Sequence, residues 1–468
     1  MRIIIGGAGR IGFELARTLR LQNHDVVLID NNARAIKNAQ QLDVLVVNGD
    51  ITSREKLQEA GINTARVFIA TTESDETNLI ASMLAEHEHN LTDVNKQLLS
   101  IVRVKNQKYM AEQNQGYLVE WAKVNYVIDP TDVMIERLHA GLTSGQADQV
   151  VHFGHGAYIV EIDVAQNATH LFGLSNKEIK EKSDVDMPPI IAIKKRDGRM
   201  MLYDSSYHYE YGDTLAIATI GIDSLNTIMT VYGHQSQPYP DTPKVVIFGA
   251  GSMGQKIAAD WLEQGAKVTV IERNLHLANQ LVASDSGMNQ NLEVIHGDHL
   301  DKTILSEISI ENFDFAISAL DDDHDNIAAC LLASDKGVTR TGLVLFDSDL
   351  VRVTKRMGIT FAVDRSQVAV DQILNIIHTK ATGSFGKLSE ITDFAGLSVT
   401  MNESSNMAGK QIEEFKKLDW MRLAFIQRRN LSGEWESFLP RDKKLINEGD
   451  KLVVFTSHAK ANDVQKKI

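Results

Sequence analysis

Gly7, Gly9 and Gly12 stand in the stretch Ile3–Gly12, IIIGGAGRIG. Glycines at this spacing, between a β-prone apolar run and an apolar helix, hold a phosphate against backbone amides rather than react with it. The first allows the turn, the second lets phosphate come close to the backbone, and the third lets helix and strand pack. Ala8, Arg10 and Ile11 fill the loop. The helix that opens here offers free amides and about half a positive charge. Arg10 sits where its guanidinium can fold over a phosphate chain and make paired bonds. Asp30 ends the next apolar run, about 20 residues on, where an acid accepts hydrogen bonds from a ribose diol. Its charge repels a 2′-phosphate, so NAD(H) or an adenine nucleotide is favoured over NADP.

Further candidates follow later strands. TTESDETN (Thr71–Asn78) comes after the fourth apolar run, which places it at the carboxyl edge of a parallel sheet beside the glycine loop. Thr72, Asp75 and Asn78 are positioned to contact a ligand; equally, Ser74 or Asp75 can cap the helix that begins there. Arg103 lies in the strand IVRV and adds a second cation.

The pattern occurs twice. Gly249, Gly251 and Gly254 repeat Gly7, Gly9 and Gly12 at an offset of 242, and Glu272 repeats Asp30. Asp298 repeats Asp50, and ALDDDHDN repeats TTESDETN, both at an offset of 248. The difference is a short insertion near SDSGMNQN, where polar turn residues make one cheap. The copies are not equal. Ser252 replaces Arg10, and GLVLF has no counterpart to Arg103. The first site is therefore expected to bind a polyanionic nucleotide more tightly than the second.

The elements that must carry these residues are readable. Apolar runs at 3–5, 26–29, 44–47, 67–70, 101–104 and 126–128 are short and β-branched, as strands buried on both faces of a parallel sheet are. Ile11, Leu15 and Leu19 form a helical stripe, as do Met253, Ile257 and Trp261. The fold class is α/β: two Rossmann-like, doubly wound parallel sheets. Each is followed by a small α/β unit, because LFGLSNKEI resembles MAGKQIEEF and YGDTLAIAT resembles EGDKLVVFT. The expected domains are 1–144, 145–233, 243–381 and 382–468, with the proline-bearing stretch 233–243 as linker. The duplicated pair is too long for a solenoid repeat. PTDVMIERLHAGL and SQVAVDQILNIIH are helices that either pack on their own sheets or cross to another Rossmann-like half and build a dimer.

Composition narrows the classes. At 468 residues the chain exceeds one ordinary core. A net charge of −14 argues against a sequence-independent grip on nucleic acid. Met1 and Arg2 lead straight into a strand, so no signal peptide is expected. The single cysteine, Cys330, excludes an internal disulfide framework and reads as helix packing. DDDHDN (Asp321–Asn326) reads as an acidic first helical turn in preference to a cation site. His152, His155, His296 and His299 read as surface or turn residues. No catalytic pair and no metal set emerges.

With both loops, Asp30, TTESDETN and the small units in hand, the chain resembles the TrkA family of regulatory proteins of bacterial potassium uptake, built from two tandem RCK (KTN) units. The resemblance implies a cytoplasmic homo-oligomeric ring, usually a tetramer, peripheral on the inner face of the membrane. There it would dock beneath a potassium channel or transporter subunit of the TrkH kind. NAD(H), ATP or ADP would bias its shape. It implies that Gly7, Ala8, Gly9, Arg10, Ile11 and Gly12 cradle phosphates, and that Asp30 holds ribose. Asp50 would lie near adenosine. Thr71, Thr72, Asp75 and Asn78 would edge the pocket, with Arg103 approaching from its strand. Gly249, Gly251, Gly254, Glu272 and Asp298 carry this over in part to the second half. The competing readings are an NAD-dependent dehydrogenase, which needs an acid–base group beside the nicotinamide that is not evident, and a scaffold with vestigial pockets.

Overall fold

The computed structural model describes residues 1–91, 97–144, 147, 149–183, 187–221, 228–234, 239–379, 385–388, 390–402, 405–416, 418–430, 432–443, 445–461 and 463–464. The expected boundaries at 145 and 382, and positions 235–238 of the expected linker, lie outside them. The chain groups into two compact units. One comprises Met1–Pro130, Ser366–Phe385 and Ser457–Lys467, and the other Thr131–Arg365 and Gly386–Thr456, with Ile468.

The first unit is built on a six-stranded sheet: β1 (Arg2–Gly6), β2 (Asp25–Asp30), β3 (Leu45–Asn48), β4 (Val67–Ala70), β5 (Leu99–Arg103) and β6 (Tyr126–Ile128). Every pairing is parallel, in the order β3-β2-β1-β4-β5-β6. Ile3, Ile4, Ile5, Phe68 and Ile69 have no exposed surface, as both faces of a parallel sheet require. The strand order reverses between β1 and β4, and such a switch opens a crevice at the strands' carboxyl ends. The strands fall where the apolar runs place them, with β3 one residue later.

The second unit holds the matching sheet: β12 (Lys244–Phe248), β13 (Lys267–Glu272), β14 (Leu292–His296), β15 (Phe315–Ser318), β16 (Arg340–Leu345) and β17 (Phe361–Asp364). Its order is β14-β13-β12-β15-β16-β17, again all parallel. Trp261 lies 4.8 Å, ring to ring, from Phe315 beneath it.

The helix Thr131–Ser144, which follows β6 in sequence, packs on β16 and β17. A glycine on each side makes this approach possible. A Cβ on Gly141 would lie 2.3 Å from the Phe361 ring, and one on Gly342 would lie 2.9 Å from Leu138 and Leu142. Arg340 donates to the carbonyl of Leu142 at 3.2 Å, and Lys256 pairs with Asp132 at 2.8 Å. The helix therefore crosses to the other sequence half. The counterpart segment from Ser366 groups with Met1–Pro130.

The same unit contains two antiparallel five-stranded sheets. The first uses β7 (Gln149–His152), β8 (Ala157–Asp163), β9 (Ile190–Lys194), β10 (Met200–Leu202) and β11 (Thr214–Ile220). The second uses β18 (Phe385–Lys387), β19 (Phe394–Thr400), β20 (Met421–Arg429), β21 (Trp435–Phe438) and β22 (Lys451–Ser457). Val151, Phe153 and Ile159 share one buried cluster with Ile391, Phe425 and Phe455. The wholly buried Glu161 carboxylate accepts from the amides of Glu390 and Ile391, the latter at 2.9 Å. Lys194 pairs with Glu390 at 2.6 Å.

Overfilling the Gly141 contact tests the crossing. Gly141→Leu should cost about 1–3 kcal/mol and raise amide exchange in Thr131–Ser144 and β16–β17, read by hydrogen-exchange mass spectrometry. Exchange unchanged in those segments would contradict the packing.

Candidate functional site

The glycine loop leaves β1 with Gly7 at φ +98°, a conformation that favours glycine. The Gly7 amide donates to the carbonyl of Ile29 at 2.8 Å. A Cβ on Gly12 would lie 1.8 Å from the Gly7 oxygen, so no other residue fits there. Gly9 differs. Its φ of −64° suits any residue, and a Cβ there would meet nothing within 4 Å. The fold needs Gly7 and Gly12 but not Gly9. The open space over Gly9 lies at the start of the Arg10–Leu21 helix, and a helix's first amides are suited to a phosphate. The second loop repeats this: Gly249 has φ +103°, a Cβ on Gly254 would lie 2.0 Å from the Gly249 oxygen, and Gly251 faces open space.

The acid at the end of the second strand braces each loop. Asp30 accepts from the Ala8 amide at 2.5 Å and the Asn32 amide at 2.7 Å. Glu272 accepts from Ala250 and Asn274, both at 2.6 Å. Each carboxylate oxygen takes one amide and keeps lone-pair capacity for a diol. Ala8 and Ile11 are buried, while Arg10 is exposed at the loop's rim. Asp50 is exposed and takes the Thr52 amide and hydroxyl at 2.8 Å. Asp298 takes the Leu300 amide at 2.9 Å.

The residues after β4 are placed at the crevice, but their polar atoms serve the protein. Thr71 is buried, its amide and hydroxyl both donating to the Gly6 carbonyl. Asn78, wholly buried, accepts from the Thr72 amide (2.9 Å) and hydroxyl (2.6 Å) and donates to the carbonyls of Thr72 (3.1 Å) and Arg103 (3.0 Å). It ties the β4 exit to the β5 exit. Asp75 accepts from the Lys105 and Asn106 amides. Ser74 is the helix cap, receiving the Thr77 amide at 3.2 Å. In the second half Asn326 and Asp323 repeat these bonds, to Leu320 and Val344 and to Phe346 and Asp347. Asp322 caps the Asp323–Asp335 helix by accepting from His324 and Asp325. DDDHDN thus acts as a helix turn. Among the described residues no group of three or more His, Cys, Asp or Glu side chains is arranged to hold a metal.

Sequence reasoning missed one charge cluster. Glu73 lies 3.5 Å from Arg103 and 2.5 Å from Lys105. The Lys105 hydrogen bond holds the Glu73 carboxyl below the usual range, against partial desolvation, and Arg103 adds to this. Lys105 sits two residues beyond Arg103, where the run IVRVK carried the signal. The bonding pattern pairs Arg103 with Val344, Lys105 with Phe346 and Asn106 with Asp347. The second site therefore lacks both strand-exit cations as well as Arg10. His299 sits in a turn, as expected, spanned by the bond from the Asp301 amide to the Asp298 carbonyl, but its side chain is buried, 3% exposed. His155 also sits in a turn, at φ +53° between Gly154 and Gly156. Cys330 is buried and bonds the Gly342 carbonyl.

Duplicated switch-point crevices, each with a glycine loop and a bracing acid, define a protein of two tandem Rossmann halves. The TrkA-N domain profile matches residues 3–130 and 245–365, and the chain belongs to that family, carrying its domain twice. The family resemblance read from the loops is thus confirmed. The Trk system potassium uptake protein TrkA of Azorhizobium caulinodans is 26% identical over 472 residues, covering 100% of this chain and 97% of that one. Its counterpart in Haemophilus influenzae is 26% identical over 469 residues, covering 98% and 96%. Among solved structures, the RCK domain of GsuK superposes with a TM-score of 0.52 at 20% identity, covering 99% of this chain and 94% of that one. A GsuK channel bound to NAD gives 0.53 at 19%, covering 99% and 78%. These likenesses establish the fold.

The different duties of the glycines can be tested on stability alone. Gly9→Ser should leave the unfolding free energy measured in urea within about 0.5 kcal/mol of the parent, since serine also caps helices. Gly12→Ser should cost on the order of 2–3 kcal/mol or more. Equal costs would show that Gly9 has a fold-based reason.

Proposed function

We propose that this chain is a cytoplasmic regulatory subunit of a potassium uptake channel or transporter. It forms a gating ring, a homotetramer, peripheral on the inner face of the membrane beneath a TrkH-like partner. Its pockets sense NAD(H), with ATP and ADP as alternative ligands, and it binds without catalysing. The names of the full-length relatives support the transport role, and the NAD-bound GsuK channel of the same fold supports the ligand class. Among the described residues no helix is long and apolar enough to cross a membrane, so the reading supplies the pore from a partner.

The observation that carries the ligand assignment is the open space over Gly9, with Arg10 at its rim and Arg103 and Lys105 at the next strand exit. In this reading Gly7, Gly9, Gly12 and Arg10 receive the phosphates and Asp30 the ribose diol, with Asp50 beside the adenosine. Thr71, Thr72, Asp75 and Asn78 shape the wall. Gly249, Gly251, Gly254, Glu272 and Asp298 form the second, less cationic pocket. Segments 1–144 and 243–381 carry the pockets, and 145–233 and 382–468 are the small subdomains. A ligand that binds two ring shapes unequally shifts their populations by its differential affinity. No reacting group is needed.

Calorimetric titration of the full chain with NADH, NAD⁺, ATP and ADP tests this. Gly9→Asp keeps a good helix cap but puts a negative charge in the phosphate space, and should abolish the tighter of two binding events. Heat flat for every nucleotide would end the reading, as would steady NADH consumption with an ordinary metabolite.

Arg10→Ala should weaken ATP by roughly 10–100-fold, the worth of a charged hydrogen bond, and adenosine hardly at all. Equal losses would remove Arg10 from the phosphates.

A further inference from the structure

The second pocket poses a charge problem. Around the first, Arg10, Arg103 and Lys105 offset Asp30, Asp50 and Glu73. Around the second, Ser252, Val344 and Phe346 stand at the cation positions, Glu272, Asp298, Asp321 and Asp347 supply acid, and Arg273, next to Glu272, supplies a cation. A phosphate-bearing ligand there meets repulsion that the first pocket does not present. Arg273 offsets one of the four acids and leaves the rest.

His299 is placed to offset more. It follows Asp298 as Ile51 follows Asp50. Ile51 is an apolar wedge, 3% exposed, packed so closely on the end of β1 that a Cβ on Gly6 would lie 3.0 Å from it. His299 fills the same place under the second loop, also 3% exposed, with its ring centroid 6.4 Å from that of Phe248 at the end of β12. Its Nε2 is buried with no hydrogen-bond partner. Its Nδ1 lies 3.8 Å from the Asp298 carboxylate. The charged groups acting on the ring are Asp298 on its own loop, Glu272 and Arg273 at the end of β13, and Asp325 on the Asp323–Asp335 helix. Burial holds the imidazole below its ordinary value, against the opposing pull of Asp298.

We propose that the second pocket binds its phosphate-bearing ligand together with a proton, carried by His299, while the first pocket binds without one. This rests on the nucleotide reading above. The ligand's negative charge favours the imidazolium, and the imidazolium favours the ligand; the two affinities change by one common factor. The sign follows from the ligand's negative charge. The ring's affinity for a proton is lower in the empty pocket than in the filled one. Between those two values ligand affinity rises as pH falls, by up to about tenfold per pH unit for one proton. Outside that window it is flat.

NAD⁺ is the probe, because none of its own groups titrates near neutrality. Its binding to the full chain is measured by calorimetry in two buffers of different ionisation enthalpy, across pH 5.5–8. Gly9→Asp isolates the second pocket and Gly251→Asp the first. The expected result is fractional proton uptake in Gly9→Asp, none in Gly251→Asp, and loss of uptake in Gly9→Asp/His299→Ile, which restores the first pocket's residue. Uptake that persists without His299, or equal uptake at both pockets, overturns the assignment. Binding at the second pocket with no uptake overturns it while leaving the nucleotide reading intact. No binding at either pocket overturns both. The comparison of Gly9→Asp with Gly251→Asp needs no histidine variant, so it can still overturn the proposal, by equal or absent uptake, even if His299→Ile fails to fold.

Discussion

A carbonyl oxygen pressed against a helix's first turn is the constraint on which the rest depends. The Gly7 oxygen leaves no room for a Cβ on Gly12. This contact lets the Arg10–Leu21 helix start at once after β1, with its amide end at the β1/β4 switch point. Gly7 must then take a positive φ to turn the chain. Asp30 must reach back to the Ala8 amide, because the turn leaves that donor without a helical partner. The same chain of requirements holds from Gly249 through Gly254 to Glu272. Gly9 and Gly251 stand outside it, and for that reason they are informative: a position that the fold leaves unconstrained, yet glycine twice, points to something that is not protein.

The carboxyl edge of each sheet is held by a second device. Asn78 and Asn326 each join two strand exits through four hydrogen bonds, and Asp75 and Asp323 each clamp the following loop by its amides. These buried bonds rigidify the wall of the crevice. A wall fixed in this way cannot adapt to its ligand, so preference falls to the side chains at the rim. There the halves part company, cationic in one and acidic in the other.

Much of this was legible in the residues. β-branched runs gave the strands because burial on both faces tolerates little else, and the glycine spacing gave the loops because sterics permits few alternatives. Two things were not legible. The destination of the helix Thr131–Ser144 depends on Gly141 and Gly342 meeting partners some 200 positions away in sequence, and local pattern carries no such address. The roles of Asp75 and Asn78 were also hidden. An acid or amide beside a pocket looks the same in sequence whether it bonds a ligand or the backbone, and only the geometry shows the backbone taking its lone pairs.

Duplication makes the logic visible within one chain. Where a Cβ would strike backbone, the halves are identical: Gly7 and Gly249, Gly12 and Gly254. Where a buried amide or acid completes a backbone bond, they are identical or homologous: Asn78 and Asn326, Asp30 and Glu272. At the loop rim, the strand exits and the floor under the loop they differ in kind: Arg10 and Ser252, Arg103 and Val344, Lys105 and Phe346, Ile51 and His299. Steric necessity has kept the scaffold, and freedom from it has let the chemistry change. Two pockets on one chain that differ in this way need not report the same ligand, or the same ligand under the same conditions. Covalent linkage also fixes the two kinds of pocket at one of each per chain.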